Sequence, residues 1–281
     1  MFSVVVPVYN HRVFLSEAVS SALRSELVSE VLLLDDGSRD GSPQLAAEWA
    51  HTHEKVHDLT PAGGANRGAH HRLNELVAAA RNDWVAVLNS DDAFVAKRFE
   101  TMAADPRFAY SDFVFGNLLL MNGCGRLVGA KRGPFDTSTP FPTSFDLAAM
   151  VEAGDLLDLL SHQNYIGTTS NMVFRKELHA RVGGFAPYRY VHDWDFALRA
   201  MALGKPLYVR RFLTTYRMHA ANTIGESAVK VDLEAHDAFE RFAWDFPEIV
   251  SRPGFGAGLR TNVNLSRHPV VLQSAPSRAS L

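Results

Sequence analysis

The chain has 281 residues, 47% hydrophobic and 21% charged, with a net charge of −3, so it can bury a large core and offers no electrostatic reason for a nucleic-acid partner. A single cysteine, Cys124, excludes an internal disulfide and fits a reducing compartment. No apolar run reaches membrane-spanning length, and Met1-Phe2-Ser3-Val4 enters a strand pattern instead of a basic signal region, so a cytoplasmic protein is expected.

Phe2–Val8 reads as a first strand, followed by Leu15, Ala18, Val19, Ala22 and Leu23 at helical spacing. Val31–Leu34 is a second strand. After Asp35-Asp36-Gly37-Ser38 a helix begins near Ser42, with Pro43 suited to its first turn. Lys55–Leu59 is a weaker strand, Gly68–Arg81 a helix and Trp84–Leu88 a fourth strand, a buried one because it is apolar throughout. This alternation over the first 120 residues predicts a wound α/β sheet.

Residues 122–145 are rich in Gly, Pro and Thr, including Gly133-Pro134 and Thr139-Pro140-Phe141-Pro142, and predict a long loop or lid. Phe145–Leu160 reads as helix, Met172–Phe174 as strand, Asp193–Leu203 as helix after Gly183-Gly184-Phe185, and Glu226–Phe246 as a further helix. From Pro247 onward Arg252, Arg260, Arg267 and Arg278 face one acid, Glu248. That basic tail can touch anionic lipid or stay solvated, and its last eight residues are expected to be disordered.

Polar clusters follow three of the strands: Tyr9-Asn10, Asp35-Asp36 and Asn89-Ser90-Asp91-Asp92. In a parallel sheet those ends share one rim, where open α/β sheets bind ligands. Adjacent carboxylates there suit Mg²⁺ or Mn²⁺ beside a phosphate, or they cap the helix that starts near Ala96. Both readings stand from these four residues alone. Asn66-Arg67-Gly68 opens a helix whose free N–H groups can meet an anion, or Asn66 simply caps it. His70, His71 and Arg72 read as solvated or locally paired.

The ordered set Val4-Val5-Val6-Pro7-Val8-Tyr9-Asn10, Asp35-Asp36-Gly37-Ser38, Asn66-Arg67-Gly68 with Asn74, Leu88-Asn89-Ser90-Asp91-Asp92, Gly183-Gly184-Phe185 and His192-Asp193-Trp194-Asp195 resembles the inverting glycosyltransferases of family 2. The resemblance covers roughly residues 2–220. It implies a GT-A fold, Rossmann-like with a mostly parallel wound sheet and flanking helices. Residues 1–220 would form the GT-A domain (1–120 nucleotide-binding, 121–220 acceptor-binding) and 221–281 a C-terminal helix and partly disordered tail.

It further implies a nucleotide-sugar site of Pro7, Tyr9, Asn10, Asp36, Asn66, Gly68, Asn89, Ser90 and Arg217, with Asp36 on the base and Arg217 against phosphate charge. Asp91 would hold Mn²⁺ or Mg²⁺, joined by His219 from a segment like the family's Arg-x-His-x-x-Asn, here Arg217, His219 and Asn222. Asp92 would cap the next helix. Asp193 would be the general base, with Asp195 as its rival on the same helix, and Trp194 would pack in the core. His162, Asn164 and Thr168-Thr169-Ser170-Asn171 can line the acceptor cleft by position alone.

Two departures matter: Asn89 stands where the family's metal motif usually has aspartate, and His192 where glutamate usually precedes the base. The first predicts that cation and nucleotide bind together. The implied partners are a nucleotide-sugar, with uridine diphosphate donors the commonest, and a glycan or lipid-linked acceptor in surface polysaccharide synthesis, at the inner face of the membrane if peripheral contact occurs. A nucleotidyltransferase lacks its Gly-rich basic loop here, and a dinucleotide oxidoreductase lacks Gly-x-Gly-x-x-Gly after the first strand. A catalytically silent nucleotide-sugar-binding or scaffold protein of the same fold is the alternative.

Overall fold

The computed structural model describes residues 1–137, 141–220, 222, 227–252 and 255. Its first half follows the predicted winding: β1 (Phe2–Val8), α1 (Arg12–Leu23), β2 (Val28–Asp35), α2 (Ser42–Thr52), β3 (Val56–Asp58), α3 (Ala69–Ala79) and β4 (Trp84–Val87). β1 pairs in parallel with β2 on one side and β4 on the other, and β2 pairs in parallel with β3. The chain therefore winds outward from β1 to β3 and then returns across β1 to β4. The crevice at that reversal lies between the ends of β1 and β4.

Alternation along the strands feeds two cores. Val4, Val6, Ala86 and Leu88 face the layer of α1, whereas Val5, Val85 and Val87 face the layer of α3 and later helices. A sheet covered on both faces favours apolar residues at nearly every position, which explains the runs in β1 and β4; Ser3, the polar residue buried in β1, donates to Glu30.

The second half is mixed, not parallel. β5 (Ala93–Phe94) and α4 (Arg98–Ala103) precede β6 (Phe113–Asn122), which forms a hairpin with β7 (Leu127–Lys131). The stretch expected to be one long loop thus begins as a strand, with a 3-10 turn at Gly133–Phe135 after it. Residues 138–140 of the expected lid lie outside the described residues. The expected single helix is two, α5 (Leu147–Ala153) and α6 (Leu156–His162), because Gly154 turns left-handed between them at φ 85°.

β8 (Val173–Arg175) lies antiparallel between β4 and β6, followed by α7 (Lys176–Val182), α8 (His192–Leu203) and β9 (Pro206–Met218). β9 runs parallel to β6 and pairs antiparallel with β5. The full order is β3-β2-β1-β4-β8-β6-β9-β5. α9 (Ala228–Asp245) and α10 (Pro247–Val250) close the described chain. Ser227 caps α9, and Ala238 and Phe242 bury its inner face. Residue 226 of the expected helix and residues 256–281 of the basic tail lie outside the described residues. Among the described residues no helix is long and apolar enough to cross a membrane.

Candidate active site and metal centre

The end of β1 and the loop after β2 are tied together. Asn10 adopts φ 53°, donates its backbone N–H to Ser38 Oγ at 2.8 Å and accepts from the N–H of Arg39 at 2.9 Å. Asp35 shapes the neighbouring turn by accepting from the N–H groups of Gly37 and Ser38 at 2.9 and 2.7 Å. The Asp36 carboxylate reaches further: it accepts from the backbone of Arg67 at 2.7 Å and Gly68 at 2.9 Å, and from Arg72 Nε at 2.8 Å.

Asp36 thus fastens the start of α3 to the rim. Gly68 occupies the cap position at φ 89° and Asn66 makes no cap, contrary to that part of the expectation. Arg72 is buried and paired with Asp36 and Glu75 instead of solvated. Gly37 is required, because a Cβ there would sit 3.0 Å from the Asn66 nitrogen at a φ of +83°. Beside this joint Pro7 is half-buried and Tyr9 is 47% exposed, which leaves an aromatic face open on the rim.

After β4 the loop is held from below. Asn89 spends both ends of its amide on Thr168 Oγ1 at 3.1 Å and Thr169 Oγ1 at 2.8 Å, and its backbone N–H bonds to Ser170 Oγ at 2.9 Å. Asp92 accepts from Ser170 Oγ at 2.6 Å, Thr168 Oγ1 at 3.1 Å and the N–H of Arg217 at 2.9 Å. It caps no helix, since Lys97 occupies the cap position of α4 at φ 60°. Burial first, then the charge of Asp91, pushes the Asp92 carboxyl well above its usual range. The Thr168–Ser170 run therefore supports the 89–92 loop, and Asn171 is spent on the backbone of Gly116 and Ile166.

Asp91 emerges from this support beside two histidines. Its Oδ2 lies 3.0 Å from His219 Nε2 and 3.8 Å from His11 Nε2. Donor atoms of His11, Asp91 and His219 all fall within 4.8 Å of one another. His11 Nδ1 is 2.9 Å from Ser90 Oγ, so buried Ser90 orients this ring. Burial chiefly lowers the His11 pKa, Asp91 opposes that and His219 adds to it; the neutral imidazole is the metal-binding form. Asn222 accepts from the N–H of His219 and donates to the Arg217 carbonyl, shaping the turn that presents the ring.

Two imidazole nitrogens and a carboxylate oxygen fit a divalent ion. The sequence motifs point to Asp91 and His219 and to Asn10, but not to His11, the residue after it. The available signal was its place in the same post-strand cluster on the same rim. Arg217 is not aimed at a phosphate: it is buried, donates through Nε to the Asp91 carbonyl at 2.7 Å, pairs with Glu17 and lies 4.7 Å over the Phe14 ring.

Asp193 opens α8. Its Oδ2 accepts from Asn164 at 3.1 Å and its Oδ1 from the N–H of Trp194 at 2.7 Å. Burial raises its pKa, and His192, the first opposing influence, together with these bonds holds the rise back. Asp195 points into the protein, buried and ion-paired with Arg199, which also bonds the carbonyls of Val182 and Gly184. That removes it as a rival base. Trp194 is in the core, with Nε1 on the Leu160 carbonyl at 2.8 Å. His162 is buried against Phe141 and Phe145 with no hydrogen-bond partner among the described residues. Tyr216 is half-buried, and burial first, then the charges of Asp92, Asp91 and Asp193, raises its phenol pKa.

The family model for glycosyl transferase family 2 matches residues 3–191. The chain belongs to that family. Among curated relatives, the uncharacterized glycosyltransferase EpsJ of Bacillus subtilis (strain 168) is 24% identical over 206 residues, 71% of this chain and 56% of its own length. The match therefore spans little more than half of that relative. Succinoglycan biosynthesis protein ExoO of Rhizobium meliloti (strain 1021) is 33% identical over 123 residues, 43% of this chain and 34% of its own. The crystal structure of S. aureus TarS 1-349 with UDP-GlcNAc superposes with a TM-score of 0.65 at 18% identity, covering 89% of this chain and 66% of that one. This likeness extends the GT-A architecture over both halves of the sheet.

Proposed function

We propose that the chain transfers a sugar from a nucleotide-diphosphate donor, UDP-linked, to an acceptor hydroxyl with inversion, in the synthesis of a surface polysaccharide. The observation that carries the reading is the Asp91–His219 pair at 3.0 Å in the loop after β4, beside the switch in strand order between β1 and β4. Residues 1–120 form the nucleotide half, 121–220 the acceptor half, and 221–281 the extension.

Tyr9 and Pro7 flank the base, and Asn10 and Asp36 hold the loops that shape its slot. Asp36 spends three acceptor contacts on α3 and its preceding loop. A carboxylate offers about four, so one remains for the base. Asn66 and Gly68 line the ribose and diphosphate path, and Asn89 and Ser90 shape the loop beside it rather than spending their side chains on the ligand.

Asp91 and His219 would hold a Mn²⁺ or Mg²⁺ ion, whose positive charge would offset that of the departing diphosphate. Asp193, oriented by Asn164, takes the acceptor proton as the new oxygen–C1 bond forms and the C1–phosphate oxygen bond breaks. Its raised pKa suits a base better than an ordinary surface carboxylate would.

The test is transfer from UDP-sugars to a panel of saccharide and lipid-linked acceptors with Mn²⁺, the product anomer read by NMR coupling. Inverted product is expected. A retained anomer overturns the displacement scheme, and donor binding without turnover across the panel favours a silent binding protein.

A further inference from the structure

We propose that His11 is a third protein ligand of the Asp91 centre, and that the resulting two-imidazole, one-carboxylate set loads a Mn²⁺-, Co²⁺- or Zn²⁺-class ion before any donor arrives. This rests on the reading of Asp91 and His219 as diphosphate-metal ligands.

The geometry is that of a ligand set. Around an ion about 2.1 Å from each donor, neighbouring donors stand about 3.0 Å apart at right angles and about 3.4 Å apart in a tetrahedron. The carboxylate oxygen of Asp91 lies 3.0 Å from one imidazole nitrogen and 3.8 Å from the other. The two rings are perpendicular at 89°, their centroids 5.5 Å apart, so they approach a common point from different directions.

The remaining nitrogen of His11 is engaged by Ser90 at 2.9 Å, an outer contact that fixes which nitrogen faces the centre. Phe14 packs against both rings, with centroids 5.9 Å from His11 and 5.0 Å from His219, which limits their rotation.

Chemistry then sets the preference. Mg²⁺ favours oxygen ligands and keeps its waters, whereas two imidazole nitrogens suit first-row divalent ions better, Co²⁺ and Zn²⁺ more tightly than Mn²⁺. Asn89 cannot supply the missing charge, and both ends of its amide are taken by Thr168 and Thr169. His11 enters from the opposite side of the crevice and fills the deficit with nitrogen. The expectation that cation and nucleotide must arrive together is replaced by a centre complete without nucleotide.

The experiment measures Mn²⁺ binding by the electron paramagnetic resonance of free ion, and the visible spectrum of the Co²⁺-loaded protein, both with and without UDP. Wild type, His11→Gln and Ser90→Ala are compared, with thermal unfolding as a folding control. Wild type is expected to bind one Mn²⁺ without UDP and to hold it against a tenfold excess of Mg²⁺. His11→Gln should weaken Mn²⁺ by at least about 10–100-fold and change the Co²⁺ spectrum, and Ser90→Ala should weaken it by about 10-fold.

Should His11→Gln fail to fold, hyperfine-shifted proton resonances of Co²⁺-loaded wild type decide: two imidazole rings support the proposal and one overturns it. Equal affinity and spectrum in folded His11→Gln overturns the His11 role but leaves Asp91 and His219 as ligands. Binding only in the presence of UDP overturns loading before donor. No binding under either condition, with sugar transfer intact, removes the metal reading as well as His11.

Discussion

Arg217 and Asp92 grip each other across the sheet: the Arg217 N–H donates to Asp92 Oδ1 at 2.9 Å, while Arg217 Nε returns to the carbonyl of Asp91 at 2.7 Å. One buried arginine on β9 thereby holds the loop after β4 from behind and leaves the Asp91 side chain free to face the histidines. Arg217→Met strips the Asp91 carbonyl and Glu17 of their cation. It should destabilise the fold by about 1–3 kcal/mol in denaturant titration, because the buried Asp91 carbonyl loses its donor while half-exposed Glu17 returns to water. A loss below about 1 kcal/mol would contradict this support role.

Asp193→Asn should abolish transfer while donor binding, read by isothermal titration, stays within about 2-fold, because in the proposed scheme the residue acts only on the acceptor proton. In wild type the rate should climb with pH through the Asp193 pKa, and burial places that acid limb above the ordinary carboxylate range. A limb at the value of a free aspartate would argue for a different base.

The same residue has a signature in stability. Because its folded-state pKa is raised, the folded protein retains a proton that the unfolded chain has shed, so stability falls as pH rises through that window. Asp193→Asn should therefore raise Tm at neutral pH, and the gain should vanish in acid below the usual aspartate pKa. An unchanged Tm at neutral pH would show that Asn164 and the Trp194 N–H fully offset burial.

His179 gives the opposite slope. It packs against Phe174 at 5.9 Å, lies 3.0 Å from Asn74 Oδ1, and burial, then Arg199 and Lys176, lowers its pKa from 6.5 to about 4. The neutral ring's contribution is complete above about pH 6.5 and is lost as pH falls towards 4. Up to about 3 kcal/mol is involved at 1.36 kcal/mol per unit. His179→Gln should flatten Tm over that range, and a wild-type slope in the variant would exclude His179.

Gly184→Ala should fold poorly. A Cβ there meets Asn74 Oδ1 at 2.6 Å on a backbone of φ +76°. Asn74 holds the backbone of Phe185 on both sides, accepting its N–H at 2.8 Å and donating to its carbonyl at 2.9 Å. Strain of about 1–3 kcal/mol is expected from the backbone alone, measurable by chemical denaturation.

Sequence patterns reveal structure where one local cause dominates. β1 matches its expected limits because every residue from Phe2 to Val8 belongs to a doubly covered strand. β9 is the longest strand and left no such trace: its pairing with β6 shifts register twice near Gly116 and Asn117, and Arg210, Arg211 and Phe212 face outward. Those irregularities break the alternation that marks a strand. β7 is almost wholly exposed, so burial imposed no pattern on it.

The site divides in the same way. Asp91 and Asp193 sit where a strand ends or a helix begins, which chain position reveals. The supports given by Thr168, Ser170 and Arg217 join segments far apart in the chain, and no local spacing encodes them.

The proposed centre draws on His11 after β1 and His219 after β9. A nascent chain that has completed β4 can lay down the parallel strands and already carries His11 and Asp91, yet it lacks the third donor until β9 and the turn beyond it emerge. Ordered β9 in turn requires β6, its long parallel neighbour, and such distant pairings form late. The donor set thus becomes whole only when the sheet does, so an ion seated on all three residues would register completed folding and slow its reversal.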